Sequence, residues 1–305
     1  MLDLENVLGL QGTLFSMMFL GWIAGRKGII SRESRKGLSD ILIYIVSPCN
    51  IMESFRQNIT GELMRQSVVV LVIAACLQFF YLGLNCFLYR RYAPKQQAVL
   101  KYATICSNGN FIGIPVINGI FGSKGVLFAA LTLLPVRINI WTAGIALFSQ
   151  AQDKKETMRK ILLHPCILSI FAGFLMMLAN TYPPEPVWNV ISSVSKCMTP
   201  LAMLLVGSII ADADWRKMID KTTLYYSTLR LLAIPLVVLV FLRLCRVDSF
   251  LTGVSVVLAG MPAASLTAVF AEKYDSDVEL ASKCIVVSTL LSVATVPLLC
   301  IALGK

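Results

Sequence analysis

Long apolar runs separated by short polar connectors set the pattern of this chain. Windows of about twenty residues, the length of helix that crosses the apolar core of a bilayer, fall near 4–24, 38–57, 66–89, 96–122, 124–149, 161–180, 187–211, 222–244, 249–273 and 278–302. The pattern predicts an all-α integral membrane protein with ten transmembrane helices. No connector is long enough for a soluble domain. Two windows carry residues that a continuous helix disfavours. Residues 107–122, SNGNFIGIPVINGIFG, set Asn108, Asn110 and Asn118 among Gly109, Gly113, Gly119 and Gly122, with Pro115 in the middle. Residues 258–264, LAGMPAA, again put glycine and proline inside an apolar run. Glycine weakens a helix, and proline removes one N–H and clashes with the preceding turn. Backbone groups freed in this way cannot face lipid, so they must face protein or a water-filled cavity. Interrupted spans in corresponding halves of a chain point to a transporter binding site near mid-membrane.

The windows divide five and five, residues 1–149 and 161–305, with 150–160 as the connector. An odd number of spans makes the second half enter the membrane with opposite orientation, which predicts an inverted repeat. Prolines keep step with this division. Pro48 in the second window and Pro200 in the seventh are 152 residues apart, and Pro115 and Pro262 are 147 apart.

Composition agrees with a polytopic membrane protein: 57% of residues are apolar and 14% charged, far from the roughly half and quarter of soluble proteins. The net charge of +10 gathers in no cluster apart from the spans, so nucleic acid is not an expected partner. Its distribution instead sets orientation. Connectors after odd windows hold Arg26, Lys27, Arg32, Arg35, Lys36, Arg90, Arg91, Lys95, Lys154, Lys155, Arg159, Lys160, Arg216, Lys217, Lys221 and Lys273. The other side holds Arg56, Arg65, Lys124, Arg243, Arg246 and Lys305. Sixteen against six predicts a cytoplasmic connector at 150–160 and both termini outside. Asp3 and Glu5 precede the first run without a basic residue, so 4–24 reads as a retained helix rather than a signal peptide. Nine cysteines without a CxxC pair read as small packing residues, and no metal or cofactor site is expected.

Chemistry concentrates at the interrupted spans. Where a helix breaks, its second half begins with free N–H groups, and two such half-helix N-termini near mid-membrane favour an anion. The three asparagines can line such a site or satisfy their own backbone. Arg137, Lys196, Arg230 and Lys283 lie deep in the windows, where an unpaired cation costs about 2.5–3.5 kcal/mol on insertion scales and must face the bundle interior. Functional and structural readings both stand for Arg137 and Lys283; Arg230 reads best as snorkelling or as paired to backbone carbonyls. His164, the sole histidine, has no carboxylate at depth in its neighbourhood and reads as helix-entry packing. Asn139 and Trp141 can line the site.

N-G-N-F-I-G-I-P at 108–115 with F-G at 121–122 resembles the fourth span of the auxin efflux carrier family. G-M-P-A-A at 260–264, followed by F-A-E-K-Y at 270–274, resembles its ninth. H-P at 164–165, P-L-A with a later V-G at 200–207, and R-L-L-A-I-P at 230–235 agree in order. The resemblance implies a secondary carrier of two inverted five-helix repeats whose fourth and ninth spans are broken and cross at their prolines. It further implies a scaffold of spans 1, 2, 6 and 7 and a moving transport part of spans 3–5 and 8–10. A homodimer through the scaffold is left open. Plant members export indole-acetate, and bacterial members are generally assigned small carboxylates such as malate or malonate. The short connector here matches the bacterial form, whose setting is the plasma membrane.

A substrate site is accordingly expected from Asn108, Asn110, Gly113, Ile114, Pro115, Arg137, Asn139, Gly260, Met261, Pro262, Ala263 and Lys283, taking a small organic anion. The alternatives are a carrier of auxin-like hydrophobic monocarboxylates, or a transporter-like sensor that binds without transport; a channel comes third. An enzyme is disfavoured by the lack of HExxH, GxSxG and P-loop patterns.

Overall fold

Apart from one isolated β-bridge, every regular element among the described residues of this computed structural model, 4–56, 60–148, 163–211 and 218–303, is helical. The connector 150–160 lies outside them, as does the side chain of Trp141. Helix α1 is Leu4–Arg26, α2 spans 32–54, α3 is Gly61–Leu88, and α4 comes in two pieces, α4a (Pro94–Ile105) and α4b (109–121). Helix α5 (123–148) follows α4b across Gly122, whose backbone (φ 64°, ψ −164°) is open to glycine and leaves the helical region. Then come α6 (Pro165–Ala179), α7 (Glu185–Ile210), α8 (Lys221–Leu244), the pieces α9a (Ser249–Ala259) and α9b (Leu266–Lys273), and α10 (Val278–Ala302). Among the described residues five stretches are long and apolar enough to cross a membrane: Gly61–Leu88, Gly109–Asn139, Glu185–Ile210, Lys221–Leu244 and Val278–Ala302. Against the ten windows, the fourth and fifth run together in Gly109–Asn139, the sixth takes a short helix and the ninth is split, while the first and second are not among these five.

Caps fix the starts. Ser31, Thr60, Asp248 and Asp277 accept N–H bonds from the first turns of α2, α3, α9a and α10. Asp220 and Thr223 form a reciprocal capping box at α8. Inside the helices, three π turns, Leu42–Val46, Gly109–Gly113 and Leu229–Ala233, each end two residues before a proline: Pro48, Pro115 and Pro235. The cause is local. A proline cannot donate to the carbonyl four residues back and its ring crowds that carbonyl, so one extra residue per turn relieves the clash without stopping the helix.

Close packing joins α1 to the second half of α7. Gly21 and Gly25, four apart on α1, face Leu204, Ser208 and Ala211. Gly207 faces the backbone of Met18 and Trp22; a Cβ there would lie 2.8 Å from the Trp22 nitrogen. Small residues at this spacing let two backbones approach where apolar solvent gives no other drive for association. A side chain at 207 therefore forces the helices apart. Gly207→Val is expected to cost about 3 kcal/mol or more, as overpacking does in a filled core, and to lower the thermal midpoint in detergent, read by fluorescence-detected size exclusion, by several degrees. An unchanged midpoint would mean that the two helices are not held at this contact. Elsewhere α2 packs on α6 and α7, α3 on the α4b–α5 rod, and α8 on α9a and α10. Large apolar side chains remain on the outside, among them Phe79 and Phe87 of α3, Phe171 and Leu175 of α6, and Val240 and Phe241 of α8, a surface suited to lipid.

Candidate functional site

The two broken helices meet each other. The chain leaves α4a at Ile105 and is non-helical through 106–108, extended at Cys106, while the α9 segment is non-helical over 261–264. Ser107 and Ala263 pair as an antiparallel bridge: the Asn108 N–H donates to the Pro262 carbonyl at 2.7 Å and the Ala264 N–H to the Cys106 carbonyl at 3.2 Å. Each break thus satisfies part of the other, as burial at this depth requires.

The remaining groups are met by side chains. Arg230, 1% exposed on the π turn of α8, donates from Nε to the Met261 carbonyl at 3.1 Å and from Nη1 to the Thr104 carbonyl at 3.2 Å, with its guanidinium 5.2 Å from the Tyr81 ring centre. Tyr226 Oη donates to the Ala103 carbonyl, and Asn85 Nδ2 to that of Lys101. The Ala263 N–H donates to Ser288 Oγ of α10 at 3.1 Å.

Asn108 starts α4b. Its Oδ1 accepts from the Phe111 N–H at 3.3 Å, while its Nδ2, in a side chain 4% exposed, donates to nothing. The cap fixes which end of the amide is oxygen, because the reversed amide would set donor against donor. Two residues on, Asn110 donates from Nδ2 to Ser47 Oγ of α2 at 3.1 Å and accepts from Arg137 Nη2 of α5 at 3.4 Å. Arg137 is 8% exposed, its Nη1 has no hydrogen-bond partner, and it forms no ion pair among the described residues. Cys166 and His164 at the head of α6 lie beside its guanidinium. The cluster therefore brings together the first turn of α4b, a nearly buried cation and the faces of α2 and α6. It has donors to spare and, among the described residues, no ion pair.

A second polar lining borders the crossover on the side of α3, where Gln78, Ser107, Thr132, Ser255 and Arg230 surround a cavity of about 20 Å³, room for roughly one water. Asn139 Nδ2 donates to Gln78 Oε1 at 2.8 Å on the same flank.

The expected site residues part into groups. Asn108, Met261, Pro262 and Ala263 lie in the crossing strands, and Asn110 and Arg137 beside them. Gly113 packs against Leu258 and Met261, and Gly260 against Leu299 and Pro235, so neither leaves room for a side chain. Ile114 is buried in the apolar core. One expectation is corrected. Pro115 is not at the break: the chain crosses at Ser107, and Pro115 sits inside the resumed helix with its missing N–H absorbed by the Gly109–Gly113 π turn. Lys283, for which both readings stood, pairs through its Nζ with Glu279 at 2.8 Å and with Asp220, the cap of α8, at 3.5 Å. It stands five residues, about 7.5 Å along α10, before Ser288, the residue of that helix that reaches the crossover. Asn118 is exposed, as is Lys196. Ser47, Cys166 and Gln78 were missed in the sequence. Only Ser47 carried a signal, as the neighbour of Pro48.

The chain matches a family described as membrane transport protein in two successive segments, residues 12–158 and 154–300. It is 27% identical over 288 residues to an uncharacterized transporter of Methanothermobacter thermautotrophicus, covering 92% of this chain and 93% of the relative. A Rhizobium meliloti protein whose name proposes a malonate transporter is 24% identical over 304 residues, covering 96% of this chain and 94% of its own length. The uncharacterized transporter YfdV of Escherichia coli is 21% identical over 298 residues, with 92% and 93% covered.

Proposed function

The chain belongs to the membrane transport protein family, the auxin efflux carriers, and on that premise we propose that it is a secondary carrier of a small organic anion, a carboxylate of the size of malate or malonate. The observation that carries this reading is the Arg137 guanidinium, 8% exposed, with Nη1 unpartnered and no ion pair among the described residues. Such a cation is tolerated at depth only where something compensates its lost hydration. A bound carboxylate does so, and the first turn of α4b adds the field of a helix N-terminus from the same side. The name of the Rhizobium meliloti relative agrees with a dicarboxylate of this size.

The mechanism follows from where the cluster lies. In this reading ten spans form two inverted five-helix repeats, with α1, α2, α6 and α7 as scaffold and α3–α5 with α8–α10 as the moving part, in the plasma membrane with both termini outside. Asn110 and Arg137 then belong to the moving part, and Ser47 and Cys166 to the scaffold. Movement of one part past the other opens the seam between them to alternate sides and carries the anion with Arg137. The crossover, tied by two backbone hydrogen bonds and by Arg230, travels as one piece.

Counterflow tests the reading. Purified protein in liposomes preloaded with unlabelled malonate is expected to accumulate labelled malonate transiently, with malate competing and an organic cation such as tetraethylammonium without effect. Accumulation of the cation, uninhibited by either dicarboxylate, would overturn it. Accumulation of indole-acetate alone would move the substrate to the hydrophobic monocarboxylates.

A further inference from the structure

Helix α3 is the least covered of the five spanning stretches: 33% of its most apolar window is buried, against 44–67% in the other four. On its outer face Phe79 and Phe87, 72% and 71% exposed, stand eight residues apart, about 12 Å along the axis. Midway between them is Gly83, where a Cβ would meet nothing within 4 Å. Positions i, i+4 and i+8 share one helix face, so the three residues form a shallow notch with an aromatic ring at either end. A basic corner closes it. Arg90 and Arg91, both exposed, follow the last turn of α3. Arg90 donates from Nε to the Cys86 carbonyl, and its guanidinium lies 5.0 Å from the centre of the Phe87 ring, which places the charge at the head of the notch. Neither arginine has an ion pair among the described residues. The corner is held firmly to α4a. Tyr89 Oη and Thr104 Oγ1, both buried, hydrogen-bond at 2.8 Å, and Gln97 Nε2 donates to the Tyr92 carbonyl at 2.8 Å.

We propose that this face of α3 holds one anionic phospholipid, with its phosphate between Arg90 and Arg91 and an acyl chain laid along Phe79, Gly83 and Phe87. The inference needs only that α3 spans a bilayer, and it is independent of what the protein carries. Arginine suits a phosphate because its planar fork gives two parallel N–H bonds to the oxygens. Arg90 spends Nε on the Cys86 carbonyl and keeps its terminal nitrogens, while Arg91 keeps its whole fork. Headgroup charge decides which lipid. A choline group would set a third cation beside two unpaired arginines, whereas a glycerol headgroup adds none, and basic residues at the membrane edge favour anionic lipid. The apolar notch selects a lipid over a free phosphate ion, since it opens where acyl chains are the solvent and offers a chain the depth that a side chain at 83 would fill. Because the corner is tied to α4a, a lipid seated there steadies the depth of the helix that leads into the crossover.

Native mass spectrometry of the purified full chain in detergent tests this. Dioleoylphosphatidylglycerol is expected to stay bound as a single adduct at a concentration at least fivefold below that needed for dioleoylphosphatidylcholine. The double variant Arg90→Gln/Arg91→Gln is expected to lose that preference. Gly83→Leu, which fills the notch, is expected to weaken both lipids threefold or more. Equal retention of the two lipids by the wild type would overturn the proposal. So would a preference kept by the double variant, which would put the lipid at another basic edge. Millimolar inorganic phosphate is expected to leave the phosphatidylglycerol adduct in place; its displacement would reduce the corner to a site for the ion and overturn the lipid. Arg91→Gln alone removes no described contact and is expected to weaken phosphatidylglycerol twofold or more, so the test stands even if the double variant fails to fold.

Discussion

Arg137→Gln is expected to raise the KM for malonate by about ten- to a hundredfold while leaving the protein at least as stable as the wild type. The two halves of that result have separate causes. A hydrogen bond to a charged partner contributes about 1.5–3 kcal/mol, and each 1.4 kcal/mol or so is tenfold in binding. Glutamine retains a donor for Asn110 Oδ1, which accepts from Arg137 at 3.4 Å in the wild type, yet removes the charge. The folded state gains because a cation that is 8% exposed with an unpartnered nitrogen carries a desolvation cost that glutamine does not. Arg137→Lys is expected to fall between, since an ammonium cannot serve Asn110 and a carboxylate with one planar fork. Uptake kinetics in liposomes and the thermal midpoint in detergent check both halves. An unchanged KM with normal expression would remove Arg137 from the site.

Much of the crossover was legible, and the reason its position was half wrong is physical. Around Pro262 the neighbours are Gly260 and alanines, no π turn precedes the proline, and the helix stops where glycine and proline together disfavour it. Around Pro115 the same reasoning points to a break, but the preceding residues widen into a π turn and the helix survives. Pro48 and Pro235 behave in the same way, and Pro135 and Pro297 sit within helices. What stops α4a is Cys106–Asn108 pairing with a segment more than 150 residues away, as the Asn108–Pro262 and Ala264–Cys106 bonds record. A local rule cannot see that partner. Lys283, whose role was left open, shows the same contrast between near and distant partners. Glu279, one helical turn back, was in plain view, whereas Asp220 reaches it only through the packing of α8 on α10. Arg230, by contrast, was left between snorkelling and pairing with backbone carbonyls, and the structure has the second, with the carbonyls of Met261 and Thr104.

Replacement of Asn108 separates the helix start from the anion it is inferred to hold. Three functions meet in this residue: its N–H closes the crossover on Pro262, its Oδ1 caps α4b at Phe111, and its Nδ2 is a buried donor without a partner. Asn108→Asp keeps the first two. Aspartate is as good a cap as asparagine, and a carboxylate at a helix N-terminus is favoured by about 0.3–1 kcal/mol, more when partly buried, so the variant is expected to fold. The third function is inverted, because the lone donor becomes a charged acceptor two residues before Asn110, the hydrogen-bond partner of Arg137. That carboxylate would fix a negative charge at the helix start and repel an anion there. Malonate uptake is therefore expected to fall at least a hundredfold, with the thermal midpoint within a few degrees of wild type. Asn108→Ser, which also caps but brings neither donor amide nor charge, is expected to lose about tenfold. The ordering is the test: aspartate worse than serine with both proteins folded supports an anion at this helix start, whereas equal losses would reduce Asn108 to a structural cap.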